Sequence, residues 1–274
     1  MSRLLAIIEL TFRESLAKKT FIAFFGISTL VNLLFIFALN LDIVDGAQSY
    51  ISLFGQESGK AFDLEKIVWG VESGVAILLF TGGIFLSLFA TSSLIPSMLD
   101  PGNIDLFISK PVSRVMIISG RFLGSVAIVA FNVFYMIIFS WLTISLKSGI
   151  WNVGFLYAAL MIVLAFTILF TLMTFLGLLT KSGPFSLMLT YLILFFSPLL
   201  IQRDKIYALL SDKFYAYLLD GLYHFLPKTA ELGQITGQLV RGAEVSDWLP
   251  LWSSLLFAVI LFLLSGIIFQ RKNF

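Results

Sequence analysis

Residues 153–180 read VGFLYAALMIVLAFTILFTLMTFLGLLT, a stretch without a single Asp, Glu, Lys or Arg. About 20 apolar residues are enough for an α-helix to cross the roughly 30 Å hydrocarbon core of a bilayer. The whole chain has the same character, because 59% of its 274 residues are hydrophobic and 12% are charged. Soluble domains carry about 25% charged residues. The sequence therefore predicts an integral membrane protein.

Further apolar stretches lie on both sides of this one, and together they predict six transmembrane helices. A helix is the structure in which an open chain satisfies its own backbone hydrogen bonds inside lipid. We therefore expect an all-α integral membrane protein with one transmembrane domain, residues 1–274. The fifth span is short and has Pro198 near its end, so whether it crosses fully is left open. The expected spans are approximately 20–41, 74–95, 122–146, 153–180, 184–201 and 250–269.

The distribution of charge predicts the orientation of these spans. With the N-terminus inside, the inner segments hold ten cations and four anions, and the outer segments hold eight cations and twelve anions. Lys and Arg near span ends are retained on the cytoplasmic side. We therefore expect both termini in the cytoplasm. The N-terminal residues interrupt any signal-peptide apolar core with charges, so the first span is expected to remain in the membrane.

Three segments outside the spans have helical periodicity. Residues 3–19 place apolar side chains on one face and charges on the other, which predicts an amphipathic helix in the interface plane. On the outer side, 206–222 and 229–241 show apolar residues at three- and four-residue spacing and predict two amphipathic helices around the turn at Pro227. The first outer connection, about 42–72, predicts no more than a small cap.

Residues 99–124 read LDPGNIDLFISKPVSRVMIISGRFLG and are placed by the charge pattern on the cytoplasmic side. A Pro-Gly-Asn break follows span two, Pro111 stops a short apolar helix, and Ser113 can cap a helix that continues into span three. From the residues alone, the segment is either a docking site for a cytoplasmic partner or an ordinary interfacial loop.

The chain has few residues that could act in catalysis or bind a metal. It has no Cys and one His, His224, so thiolate and multi-His metal sites are excluded, and the small net charge of +2 does not favour nucleic acid. The spans hold almost no ionisable residues; Glu72 and Arg121 are expected at span ends, where long side chains reach the interface. A proton-coupled carrier and an intramembrane enzyme are both disfavoured, and we expect no enzyme activity in this chain.

The polar residues within the spans are mostly small or hydroxylated, and span two is richest in them. Such residues usually serve helix packing, with a lining role for a substrate path as the alternative. The candidates for a path or for packing between chains are Thr81, Gly82, Gly83, Ser87 and Thr91.

The two cytoplasmic segments resemble those of a known family. TFRESLAKK at 11–19 resembles the amphipathic N-terminal helix of ATP-binding-cassette (ABC) type 2 permeases, and 95–124 is similar to their segment between spans two and three. Met98 or Leu99, Asn103 and Arg121 depart from the family pattern. The positions that match it are Ser109, Lys110, Pro111, Ser113, Arg114, Gly120 and Gly124.

This resemblance implies a permease subunit, of the exporter type, in the inner membrane. Two copies, or this chain and a related one, would pair with two cytoplasmic ATPase subunits that hold the ATP and Mg²⁺, so this chain would bind no cofactor itself. Residues 99–114 would form a coupling helix, and 3–19 a second contact. The residues implied in contact with the ATPase subunit are Arg13, Glu14, Asp100, Gly102, Asp105, Lys110, Pro111, Ser113 and Arg114.

An alternative within the same family stays open. The chain could be an ABC-type membrane anchor or mechanotransmitter that acts on an extracytoplasmic partner and moves no solute. The apolar, aromatic-rich spans would suit a lipid or another amphipathic solute, but membranes select for such residues anyway, so the substrate stays open.

Overall fold

The structure, a computed structural model, describes residues 3–17, 19–44, 48–53, 56–57, 64–99, 112–207 and 213–271. Within these ranges the chain is mainly helical, as the apolar stretches predict. Five helices are long and apolar enough to cross a membrane, and six if the bent pair Arg3–Leu16 and Phe21–Phe37 counts as one more. The chain is thus a multi-pass membrane protein by the length and composition of its helices.

The N-terminal part consists of α1 (Arg3–Leu16) and α2 (Lys19–Ala38), with a bend of 71° between them. The predicted amphipathic helix and first span therefore form two separate helices. Many large apolar side chains of α2 are exposed, including Leu30 and Phe37, as expected for a surface that faces lipid or another apolar chain.

A small antiparallel sheet follows α2, which the sequence did not predict. Its strands are β1 (Leu39–Val44), β2 (Gln48–Leu53) and β3 (Gln56–Glu57), in the order β1-β2-β3, with Leu39 opposite Leu53. The apolar and polar residues of LNLDIV alternate, with Val44 as the exception, and this period of two is the signal typical of a strand.

The second span is one long helical stretch with a change of helix type in the middle. It runs through α3 (Leu64–Leu78), a π-helical turn (Leu79–Gly83), α4 (Ile84–Thr91) and a 3₁₀ turn (Pro96–Leu99). The backbone N–H of Ile84 bonds to the carbonyl of Leu79, the five-residue spacing of a π-helix.

The remaining helices complete the bundle. They are α5 (Arg114–Ser148), α6 (Val153–Thr180), α7 (Gly183–Ile201), α8 (Arg203–Tyr207), α9 (Lys213–Phe225), α10 (Thr229–Val240) and α11 (Leu249–Arg271). The long helix α6 is the central element, packed by α5, α7, α10 and α11. Its Phe155, Phe166 and Phe170 are fully buried.

Local chemistry explains where these helices start and stop. The Ser113 hydroxyl accepts a hydrogen bond from the Met116 N–H and caps α5, as predicted. Asn152 caps α6 and Ser182 caps α7, whose first turn holds Pro184. The helix α7 continues through Pro198 to Ile201 without a break.

The two ends of the bundle can be identified from these connections. One end of the bundle holds the start of α5, the α6–α7 turn and the last turn of α11, and we call it the Ser113 end. Here the Arg114 guanidinium donates a hydrogen bond to the carbonyl of Gln270. The opposite Asn152 end holds the turn between α5 and α6. Because α1 packs on the first third of α5, α1 lies at the Ser113 end together with the last turn of α11.

Candidate functional site

The residues implied in contact with an ATPase subunit divide into two groups. Arg13, Glu14, Ser113 and Arg114 are described and lie at the Ser113 end. The others lie outside the described residues, and so does the short helix expected before Pro111. They are Asp100, Gly102, Asp105, Lys110 and Pro111.

The helix α1 crosses α5 at two glycines spaced four residues apart. A Cβ added at Gly120 would lie 2.6 Å from Ile7 Cγ2, and one at Gly124 would lie 2.7 Å from Thr11 Cβ and 3.0 Å from the Ile8 carbonyl oxygen. Real Cβ atoms do not approach other atoms so closely. The two glycines therefore let the backbones of α1 and α5 approach each other, as small residues four apart do between membrane helices.

An ion pair fixes the same crossing. Glu14 Oε2 lies 2.5 Å from Arg121 Nη1, and the Arg121 side chain is 6% exposed while that of Glu14 is 36% exposed. The Arg121 side chain therefore does not reach solvent from the span end, because Glu14 and the packing of α1 enclose it. One predicted contact residue, Glu14, thus has its carboxylate engaged within the chain.

The other described residues that are implied in contact with an ATPase subunit differ in their exposure and in their contacts within the chain. Arg13 is exposed and pairs with Glu9 one turn earlier on α1, at 2.5 Å. Ser113 is exposed but its hydroxyl caps α5, and Arg114 bonds to the Gln270 carbonyl at 3.1 Å. The side chains at this end therefore stabilise the arrangement of α1, α5 and α11, and Arg13 is the more exposed of the two arginines.

A cleft of about 930 Å³ lies between the second span, α7 and α10. One wall is apolar and is built by aromatic and aliphatic side chains of the second span and α7. The facing wall is α10, which presents amides, small residues and one cation. The side chains of the apolar wall include Phe80, Phe85, Leu194, Phe195 and Pro198.

The five small residues of span two do not share one environment. Thr81 and Gly82 are exposed and line the cleft, in the π-helical turn. Gly83 is buried beneath Leu79 of its own helix. The Ser87 hydroxyl donates to the Gly83 carbonyl, and the Thr91 hydroxyl donates to the Ser87 carbonyl, so both satisfy their polar groups on the backbone and face the interior.

A polar junction closes the Asn152 end beside this cleft. The Asn152 amide donates to Glu72 Oε2 at 2.6 Å and to the Val240 carbonyl at 2.7 Å, and so joins the second span, the start of α6 and the end of α10. Glu72 is fully buried and its Oε1 has no hydrogen-bond partner among the described residues. The Glu72 side chain therefore does not reach solvent from the span end, because α10 and the α5–α6 turn cover it.

Polar side chains also link α2 to α5 along their length. Ser28 donates to Asn132 Oδ1 at 2.9 Å, and Ser140 donates to Asn32 Oδ1 at 2.7 Å. These contacts use intramembrane polar groups to fasten two helices, which is the packing role expected for such residues.

The sequence did not predict the cleft, the Asn152 junction or the close contact of α1 with α5 at Gly120 and Gly124. Gly120 and Gly124 were singled out through the family resemblance, but their contact with α1 needs the positions of Ile7 and Thr11. Among the described residues, no three Asp, Glu or His side chains come close enough together to hold a metal ion. Comparison with family models finds no match for the chain, and no curated protein is similar to it at a significant level.

Proposed function

We propose that this chain is the permease subunit of an ABC exporter, working with a separate cytoplasmic ATPase subunit. The observation that carries the proposal is the sequence SKPVSR at 109–114, which leads directly into the capped start of α5 at the end of the bundle where α1 is also fastened. The resemblance to ABC type 2 permeases rests on these same two segments.

The proposed mechanism needs a rigid connection between the docking segment and the spans. A force applied at 99–114 enters α5 at Ser113, and α5 is tied to α1 by Glu14–Arg121 and to α11 by Arg114–Gln270. ATP-driven closure of two ATPase subunits would thus move α1, α5 and α11 together, as packed helices shift as units. We propose that the Ser113 end faces the cytoplasm, which the charge distribution supports, and that the membrane is the inner membrane, as the family resemblance implies.

The test is co-purification of an ABC ATPase with the tagged chain from native membranes, with the bound protein identified by mass spectrometry. We expect Arg13→Glu and Arg114→Glu each to reduce the recovered ATPase several-fold. The matched control is Lys205→Glu, an equal charge reversal at an exposed residue outside the Ser113 end. Equal ATPase recovery when residues 101–113 are replaced by a Gly/Ser linker contradicts the proposal.

A second candidate function is the membrane anchor or mechanotransmitter without solute movement. The observation in its favour is α9, whose Phe214, Tyr217 and Phe225 are 64%, 74% and 70% exposed. Exposed apolar side chains on one short helix are typical of a surface that contacts another protein or the membrane. Capture of an extracytoplasmic protein that is lost in Tyr217→Asp, together with ATP turnover without solute movement in vesicles, would favour this candidate.

A further inference from the structure

The cleft combines an apolar surface with a polar surface that carries one cation. Its volume of about 930 Å³ is at the upper end of the ~300–1,000 Å³ range of small-molecule sites. The second span and α7 supply the apolar wall. On the facing wall, Gln234 and Gln238 lie on one face of α10, and Arg241 caps the C-terminal end of this helix three residues after Gln238.

The charge in this cleft is unbalanced. Arg241 is the one charged side chain among the described residues that line it, and its guanidinium is exposed with no ion-pair or hydrogen-bond partner in the described part of the chain. Gln234 and Gln238 add amide donors on the same face. An anionic group with several acceptor oxygens fits this surface, because guanidinium and amide groups both donate hydrogen bonds.

The position of Arg241 along the cleft indicates how a ligand would be oriented. Arg241 follows directly on Val240, whose carbonyl bonds to Asn152 at the end of the bundle. Phe80 and Phe85 lie further along the second span, about 6 and 13 Å beyond Ala76 at 1.5 Å per residue. The cation therefore sits at the mouth and the aromatic side chains deeper in the membrane-spanning part, so a ligand would have its charged head at the Asn152 end.

The walls are also shaped to leave this space open. Gly82 in the π-helical turn and Gly237 on α10 both line the cleft, and a Cβ added at either would meet no atom within 4 Å. The Thr81 hydroxyl is turned to the Ile77 carbonyl at 2.8 Å, which leaves its wall apolar. Two glycines facing one cleft from opposite walls keep it free of side chains.

We propose that the cleft binds an acidic amphiphile, a molecule with one apolar chain and one anionic head group, with the head held by Arg241, Gln234 and Gln238. The chain of the ligand lies along the wall of Phe80, Phe85 and Phe195. This proposal rests on the proposed function in one respect, since it names the class of solute that the permease would move. Binding of the ligand to the cleft requires no ATPase.

The experiment uses the purified full chain in phosphatidylcholine nanodiscs without any ATPase. The probe is palmitate with a diazirine in its chain and a terminal alkyne, and the reference is the uncharged alcohol of the same length with the same groups. After photolysis, cross-linked peptides are mapped by mass spectrometry. We expect labelling of the palmitate probe to concentrate on 76–85 and 229–243, with weaker labelling by the alcohol.

Two matched sets of variants separate the cleft from general contact with lipid. Gly82→Leu and Gly237→Leu fill the cleft from opposite walls, and Gly266→Leu is the control, since it too has no neighbour within 4 Å but lies outside the cleft lining. Arg241→Gln removes the charge, and Arg271→Gln is the same change at the exposed end of α11. The two filling variants should lose labelling in the cleft, and Arg241→Gln should weaken palmitate binding about fivefold.

Labelling spread over the exposed faces of α2 and α11, unchanged by either filling variant, overturns the proposal and shows contact with surrounding lipid only. Equal labelling by palmitate and the alcohol overturns the role of Arg241. A melting temperature recorded for each variant shows that it is folded, and having two filling variants keeps the test valid where one fails to fold. Because no ATPase is present, loss of binding here and loss of ATPase co-purification are independent results.

Discussion

Glu14 on α1 and Arg121 on α5, 107 positions apart in the chain, are joined by a contact of 2.5 Å at the crossing of their helices. The partner on α5 is nearly enclosed, whereas that on α1 is about one-third exposed. Burial makes the pair sensitive to the loss of one member, because a charge left without its partner in a poorly hydrated place is costly.

We predict that Glu14→Gln lowers the free energy of unfolding by about 1–3 kcal/mol, because the nearly enclosed Arg121 then loses its ion pair with Glu14. Removing both charges, in Glu14→Gln with Arg121→Met, should cost less than the sum of the single changes. Thermal melts in detergent, followed by the fluorescence of the native tryptophans, measure this coupling. The control is Glu9→Gln in the exposed pair with Arg13, for which we expect less than about 0.5 kcal/mol.

The second prediction concerns the contact of α1 with α5 at Gly120 and Gly124, and its control is a glycine at which a substitution should have the opposite effect. Gly124→Ala places a methyl group 2.7 Å from Thr11 Cβ and 3.0 Å from a backbone carbonyl, so α1 must move away and the melting temperature should fall. Gly266→Ala, on α11, adds a methyl group to open space and should stabilise its helix by up to about 1 kcal/mol. Equal effects of the two changes would show that α1 does not pack on α5 as described.

A third prediction concerns the junction at the Asn152 end. Asn152→Ala removes the cap of α6 and both bonds to Glu72 and Val240, so we expect a loss of about 1–3 kcal/mol in stability. Glu72→Gln keeps an acceptor for Asn152 and removes a buried charge, so it should be nearly neutral or stabilising. The order of the two melting temperatures tests this, and a larger loss in Glu72→Gln would contradict it.

Features set by neighbouring residues were predictable from the sequence. Ser113 was expected to cap α5 and the fifth span to begin at 184, where Pro184 lies in the first turn of α7, because capping and proline effects act over three or four residues. The apolar stretches likewise identified the long helices, although α5 starts eight residues before the predicted span at 122. The second outer helix matches α10 closely, whereas the first is represented by α8 and α9, with 208–212 outside the described residues.

Features that depend on distant residues were not predictable. Arg121 and Glu72 were both placed at span ends, since their positions along the spans do not reveal that α1 and α10 cover them. The cleft is formed by three elements from separate parts of the chain. The sequence does not show that α10 faces the second span, so it could not place Arg241 in a cleft. The sheet of β1, β2 and β3 was not predicted although LNLDIV has a strand-like alternation, because the expectation of an all-α fold came from the spans.

The most direct measurement of the proposed coupling is site-specific photo-cross-linking in native membranes. A benzophenone amino acid replaces Val115, which is 39% exposed beside the cap of α5, and in a second protein it replaces Val153, which is 53% exposed at the opposite end. We predict an adduct with an ABC ATPase from position 115 and none from position 153. No ATPase adduct from position 115, or equal adducts from both positions, would contradict a permease driven from the Ser113 end.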